Sequence, residues 1–149
     1  MSKFEDLLTS YQKRINQTLE DVLPSDNTIL TEAMRYSVLN GGKRLRPILV
    51  YLTGELGNAD RNSLDVLASS IELVHCYSLI HDDLPSMDND DLRRGNPTTH
   101  KKYDEATAIL AGDALQPLAF EWLSKINSSN DKKISMIYSL SRACGYLGM

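Results

Sequence analysis

The run SLDVLASSIELVHCYSLIHDDLP, from Ser63 to Pro85, decides how this chain folds. Leu64, Leu67, Ala68 and Ile71 recur at helical spacing and form one stripe. Continued at the same pitch, the stripe meets His75, Ser78 and Asp82. Asp82 lies eighteen residues after Leu64, which is about five turns of helix, so the two point the same way. A second side carries Val66, Leu73, Tyr77, Ile80 and Leu84. A helix apolar on several sides belongs in the middle of a protein. Here one of its stripes turns polar and then acidic toward the C-terminal end. Unpaired buried carboxylates are costly, so a packed core has no use for that arrangement. A cavity that holds cations resolves the conflict. Pro85 lacks the N–H that would bond to the His81 carbonyl, so the helix should kink or end there.

The rest of the chain supports an all-α reading. Turns are expected near residues 23–27, 40–42, 57–62, 88–98 and 127–131, with helical apolar spacing between them. Leu30, Ala33, Met34 and Val38 form one stripe, with Gly41 as a left-handed stop after it. Leu45, Ile48, Leu49, Leu52 and Leu56 form the next, stopped by Gly57. Pro47 fits only the first turn, which starts that helix near Arg44. Pro117 should kink a helix that contains Ala108 and Phe120, and the tyrosines and Trp122 read as core. No period-two segment is long enough for a strand.

The chain has 149 residues, 42% hydrophobic and 24% charged, which suits one globular domain. Its 20 acidic against 16 basic residues give a formal charge of −4. That excludes a general nucleic-acid binder, which needs a basic face. No run of some eighteen apolar residues is present, so no membrane-spanning helix is expected. The first residues lack the pattern of a signal peptide. The two cysteines, Cys76 and Cys144, form no CxxC. A reduced, cytoplasmic chain is the simplest reading.

Three carboxylates, Asp82, Asp83 and Asp88, lie within seven residues, and Asp90 and Asp91 follow. Mg²⁺ prefers oxygen ligands and is commonly held by one or two carboxylates plus substrate phosphates. The alternative is an acidic loop in solvent, although acids at a helix C-terminus call for a cation nearby. Asp88 is six residues past Asp82, about 120° away on an ideal helix. The two share a metal only if the chain leaves the helix, as Pro85 requires. Lys43 and Arg46 sit three apart at a helix start after Gly41 and Gly42, a setting that favours an anion such as diphosphate. A capping turn with exposed basic side chains fits the same residues. Arg93 and Arg94 either join that anion site or balance Asp90 and Asp91. His75 is either a core histidine or a ligand on the face of Asp82. Asp113, among apolar neighbours, is either a structural hydrogen bonder or a cavity liner. An EF-hand starting at Asp88 is excluded, because Leu92, Arg93 and Thr99 stand where an acceptor, Gly and Glu are required.

Gly41-Gly42-Lys43-Arg44-Leu45-Arg46-Pro47 resembles the GGKRxRP element of the trans-isoprenyl diphosphate synthases. Asp82 to Asp88, continuing to Arg93-Arg94-Gly95, resembles their first aspartate-rich motif in its bacterial DDxxxxD form. Ala108 to Asp113 resembles their AILAGD helix. The motifs occur in the family's order and cover essentially the whole chain.

The resemblance implies an all-α bundle around a central cavity, with Mg²⁺ as cofactor and Mn²⁺ as an alternative. It implies head-to-tail addition of isopentenyl diphosphate to dimethylallyl or geranyl diphosphate. Lys43, Arg46, His75 and Arg94 would bind the isopentenyl diphosphate. Asp82 and Asp88 would hold the metal, Asp83 would support it, and Arg93 would contact the allylic diphosphate. The allylic C–O bond would ionise, the isopentenyl double bond would attack the cation, and a proton would pass to the departing diphosphate. In this family, product length is read from the residues four and five before the first Asp, here Ser78 and Tyr77. Tyr77 with the DDxxxxD form resembles the bacterial farnesyl type. Geranyl or geranylgeranyl products, or a non-catalytic subunit, are the alternatives. A terpene cyclase is disfavoured by the GGKRLRP element. Asn89 and Asn96 depart from the common Asp and Lys. The family is about twice this length and dimeric, and its second aspartate-rich motif is absent from these residues. Residues 1–149 are therefore expected to be the N-terminal portion of one synthase domain, inactive alone and prone to self-association.

Overall fold

The computed structural model describes residues 3–148. Among the described residues seven helices carry the fold: α1 (Lys3–Val22), α2 (Ile29–Leu39), α3 (Leu45–Leu56), α4 (Arg61–Asp82), α5 (Thr99–Lys102), α6 (Glu105–Ser124) and α7 (Asn130–Cys144). A two-stranded antiparallel ribbon, β1 (Leu92–Arg93) with β2 (Asn96–Pro97), interrupts them. Sequence periodicity did not anticipate it, because two residues per strand leave no alternation to detect.

α4 is the central element and packs mainly against α6 and α3. Asp60 caps it, its side chain accepting from the Asn62 and Ser63 amides. At the other end the His81 carbonyl accepts from the Leu84 N–H at 3.2 Å, and the helix ends before Pro85. Ala68, Leu73, Cys76, Tyr77 and Ile80 are buried along its length. Burying one such leucine contributes roughly 1.5–3 kcal/mol. α4 is also long and apolar enough, by length and composition, to cross a bilayer, contrary to the sequence expectation. Half of that window is buried within the fold, as a core helix requires.

α3 corrects the sequence reading more sharply. It does start after Arg44 and end at Gly57. Its inward face, however, is Pro47, Ile48 and Tyr51. Leu45, Leu49 and Leu56, read above as one stripe with Ile48, are exposed. The reason is polar: Tyr51 donates a 2.7 Å hydrogen bond to Asp65, which also receives two bonds from Arg14. That network fixes the rotation of α3.

Other expectations also change. α6 contains Pro117 within one continuous helix. Tyr138 and Tyr146 are exposed rather than core. Asp113 is exposed, with its carboxylate 3.7 Å from His81 Nε2.

Candidate functional site

Two adjoining clefts lie along one side of α4. The first, of about 310 Å³, is lined by Gly42, Lys43, Arg44, Leu45, Arg46, Glu72, His75 and Arg94. The second, of about 610 Å³, shares Arg46 and His75 with it. Its α4 wall is Ile71, Val74, Tyr77, Ser78 and Asp82, and its far wall is Leu140, Ala143 and Cys144 of α7. One end of the second cleft is therefore polar and acidic, and the other is apolar. The stripe from Ile71 through His75 and Ser78 to Asp82 faces this space.

The basic basin is assembled from three parts of the chain. α2 ends at Leu39, and a turn in left-handed backbone leads into α3: Gly41 φ 77°, Gly42 φ 124° and Arg44 φ 53°. Gln12 of α1 pins this turn by donating to the Lys43 carbonyl at 3.1 Å. Arg94 arrives from the ribbon and donates to the Gly41 carbonyl. A Cβ at Gly42 would lie 2.6 Å from the Arg94 guanidinium carbon. The φ of 124° calls for glycine at position 42, and a Cβ there would push the flexible end of Arg94 aside. Asn96 donates to Asn40 at 2.8 Å and Tyr36 to the Pro97 carbonyl at 2.7 Å, so the ribbon is fastened to the α2–α3 turn.

His75 is half-buried between these cations. Burial, then the Arg46 charge, push its imidazole pKa below the usual value, with Arg94 and Arg93 adding and Glu72 opposing. The sign for stability follows from linkage. A histidine with a depressed folded pKa takes up its proton first in the unfolded chain. Its contribution is fully present above the ordinary histidine range and declines as pH falls through it. His75→Gln is expected to flatten that part of the stability–pH curve. Urea unfolding at several pH values between about 5 and 8 checks this; a parallel curve for the variant refutes it.

The acids divide into two groups. The Asp88 N–H donates to the Asp82 carbonyl at 2.9 Å, so the chain after Pro85 folds back beside the end of α4. Asp88 itself is exposed and lines neither cleft. Among the described residues, neither the Asp82 nor the Asp88 carboxylate has an ion-pair or hydrogen-bond partner. Nor do three or more His, Cys, Asp or Glu side chains converge on one point there. A pair of free carboxylates fits a divalent cation whose remaining ligands are phosphate oxygens and water.

Asp83 points elsewhere. It is buried and receives Arg93 at 2.9 and 2.8 Å from Nε and at 2.5 Å from Nη2. Asp90 stands 3.7 Å from the same guanidinium. The Arg93 charge is thus balanced mainly by Asp83, while Asp91 pairs with Lys101 at 2.8 Å. Arg93 lines neither cleft.

Sequence reasoning gave no role to Arg44 or Glu72, which form a buried ion pair at 2.8 Å. A signal existed for Glu72, a charge between Ile71 and Leu73 and in line with Ala68 and Cys76; Arg44, among Gly42, Lys43 and Arg46, carried none.

Residues 27–147 match the model of the polyprenyl synthetase family. The chain belongs to that family. This polyprenyl synthetase chain is 52% identical, over all of its length, to the farnesyl diphosphate synthase of Haemophilus influenzae, and covers 52% of that protein. Among solved structures it resembles an FPP/GFPP synthase from Zymomonas mobilis, with a TM-score of 0.93 and 47% identity over 97% of this chain and 54% of that one. A geranyltransferase from Legionella pneumophila gives a TM-score of 0.91 at 46% identity, over 95% of this chain and 52% of that one. The fold is thus the all-α isoprenoid synthase type. The chain spans about half the length of the curated relatives it matches.

Proposed function

We propose that the protein carrying this chain is a prenyltransferase that joins isopentenyl diphosphate head to tail with dimethylallyl or geranyl diphosphate and releases farnesyl diphosphate. The observation that carries this reading is the shared wall of the two clefts. Lys43, Arg46, His75 and Arg94 line a basin suited to one diphosphate, and it opens beside Asp82 onto an apolar channel.

In this reading Lys43, Arg46 and Arg94 hold the isopentenyl diphosphate by charge-assisted bonds, and His75 adds a neutral donor. Asp82 and Asp88 would hold Mg²⁺ or Mn²⁺ together with the allylic diphosphate. The metal supplies Lewis-acid stabilisation of the departing diphosphate. Arg93, its charge largely balanced by Asp83, would contact the allylic diphosphate from outside the two clefts. Ile71, Val74 and the α7 wall exclude water from the growing tail. The protein would act as a cytoplasmic homodimer. The chain alone, with one aspartate-rich motif, would bind diphosphate weakly and not turn over.

Incubation of the full-length protein with labelled isopentenyl and geranyl diphosphates tests the proposal. A fifteen-carbon product that is abolished by a metal chelator is expected. Absence of prenyl transfer with Mg²⁺ present refutes it.

Tyr77 and Ser78 set the channel depth. Tyr77 is buried, lies roughly 7.5 Å down the helix from Asp82, and meets the His81 ring edge-on with 5.7 Å between centroids. Tyr77→Ala is expected to give longer products and Ser78→Phe to stop at ten carbons. Unchanged product chromatography in both variants removes the assignment.

A further inference from the structure

Arg44 sits between Lys43 and Arg46 in sequence but faces the opposite way. Lys43 and Arg46 are exposed, whereas Arg44 is 3% exposed. Its guanidinium reaches three elements. Nε donates to Asn16 of α1 at 2.9 Å, Nη2 to the Val38 carbonyl of α2 at 2.7 Å, and Nη1 to Glu72 of α4 at 2.8 Å. Its backbone is left-handed, a conformation that non-glycine residues hold only when their surroundings fix it. Glu72 is 2% exposed, yet it lines the basic basin one turn before His75.

We propose that the Arg44–Glu72 pair is the positioning element of the diphosphate basin, acting through the Lys43–Arg46 turn rather than on the ligand. The inference rests on the reading of that basin as a diphosphate site. Two effects combine. A carboxylate in the wall of an anion site repels the ligand, and Arg44 neutralises it at the shortest range available. The forked guanidinium also ties the turn to α1, α2 and α4 at once, which sets the direction in which Lys43 and Arg46 leave the backbone. A lysine would carry the charge without the fork. A buried ion pair is often no more stabilising than an apolar pair of similar volume. Its contribution here lies in orientation.

The test uses the full-length protein, kept free of divalent metal, titrated with inorganic diphosphate by calorimetry, with thermal melts alongside. Arg44→Met combined with Glu72→Met removes both charges and keeps the volume. This double variant is expected to melt within about 5 °C of the parent. It should bind diphosphate about tenfold more weakly, a change of about 1.4 kcal/mol. Arg44→Lys should also bind more weakly and provides the second reading if the double variant does not fold. Parent-like affinity in either folded variant overturns the proposal. A full-length parent that releases no heat with diphosphate overturns the reading of the basin itself, which is a separate result.

Discussion

Arg44→Met, alone, is expected to lower the unfolding free energy by about 3–5 kcal/mol, the usual cost of removing one partner from a buried ion pair. The variant leaves the Glu72 carboxylate without its 2.8 Å partner in a site 2% exposed. It also strips the Val38 carbonyl of its 2.7 Å donor at the end of α2. A domain of this size holds only about 5–15 kcal/mol in total, so the loss should be plain in urea melts at neutral pH. Adding Glu72→Met should recover most of it, because the lone charge, and not the lost contact, dominates the cost. A single variant within about 1 kcal/mol of the parent would show that Glu72 finds water or another cation.

In the full-length protein, Asp82→Ala should reduce turnover by about a thousandfold, the scale on which a preorganised electrostatic group acts in a closed site. Asp82 stands at the acidic end of the larger cleft, and its own carbonyl receives the Asp88 amide. Its removal therefore takes away one carboxylate while leaving the backbone clasp to Asp88 in place. Steady-state kinetics at saturating Mg²⁺ check this. Asp91→Asn is the control, since that carboxylate pairs with Lys101 on the surface and should leave turnover unchanged. Equal turnover by Asp82→Ala and the parent rules out a role for this acid.

Much of this arrangement was readable along the chain. Gly41, Pro47, Gly57 and Pro85 mark helix ends by backbone chemistry, and α2, α3 and α4 stop or start beside them. The polar end of the central stripe foretold open space, and Ile71, His75, Ser78 and Asp82 do line a cleft. What was not readable depended on distance in sequence or on brevity. α3 is apolar on two sides, and contacts distant in sequence, the Tyr51–Asp65 bond and the Tyr11–Tyr51 stack, select between them. The Arg44–Glu72 bond spans twenty-eight residues. The ribbon is held by a two-residue turn with arginine where asparagine or glycine is usual.

That turn links local geometry to evolvability. Arg94 delivers its guanidinium from a position with φ 56°, followed by Gly95 at φ 80°. An asparagine at position 94 would suit the left-handed backbone better, yet would leave the basin one cation short. Ribbon rigidity and anion affinity should therefore respond in opposite directions to Arg94→Asn. A sequence drifting toward the more comfortable loop would surrender ligand capture as it gained order, a local trade-off between stability and activity.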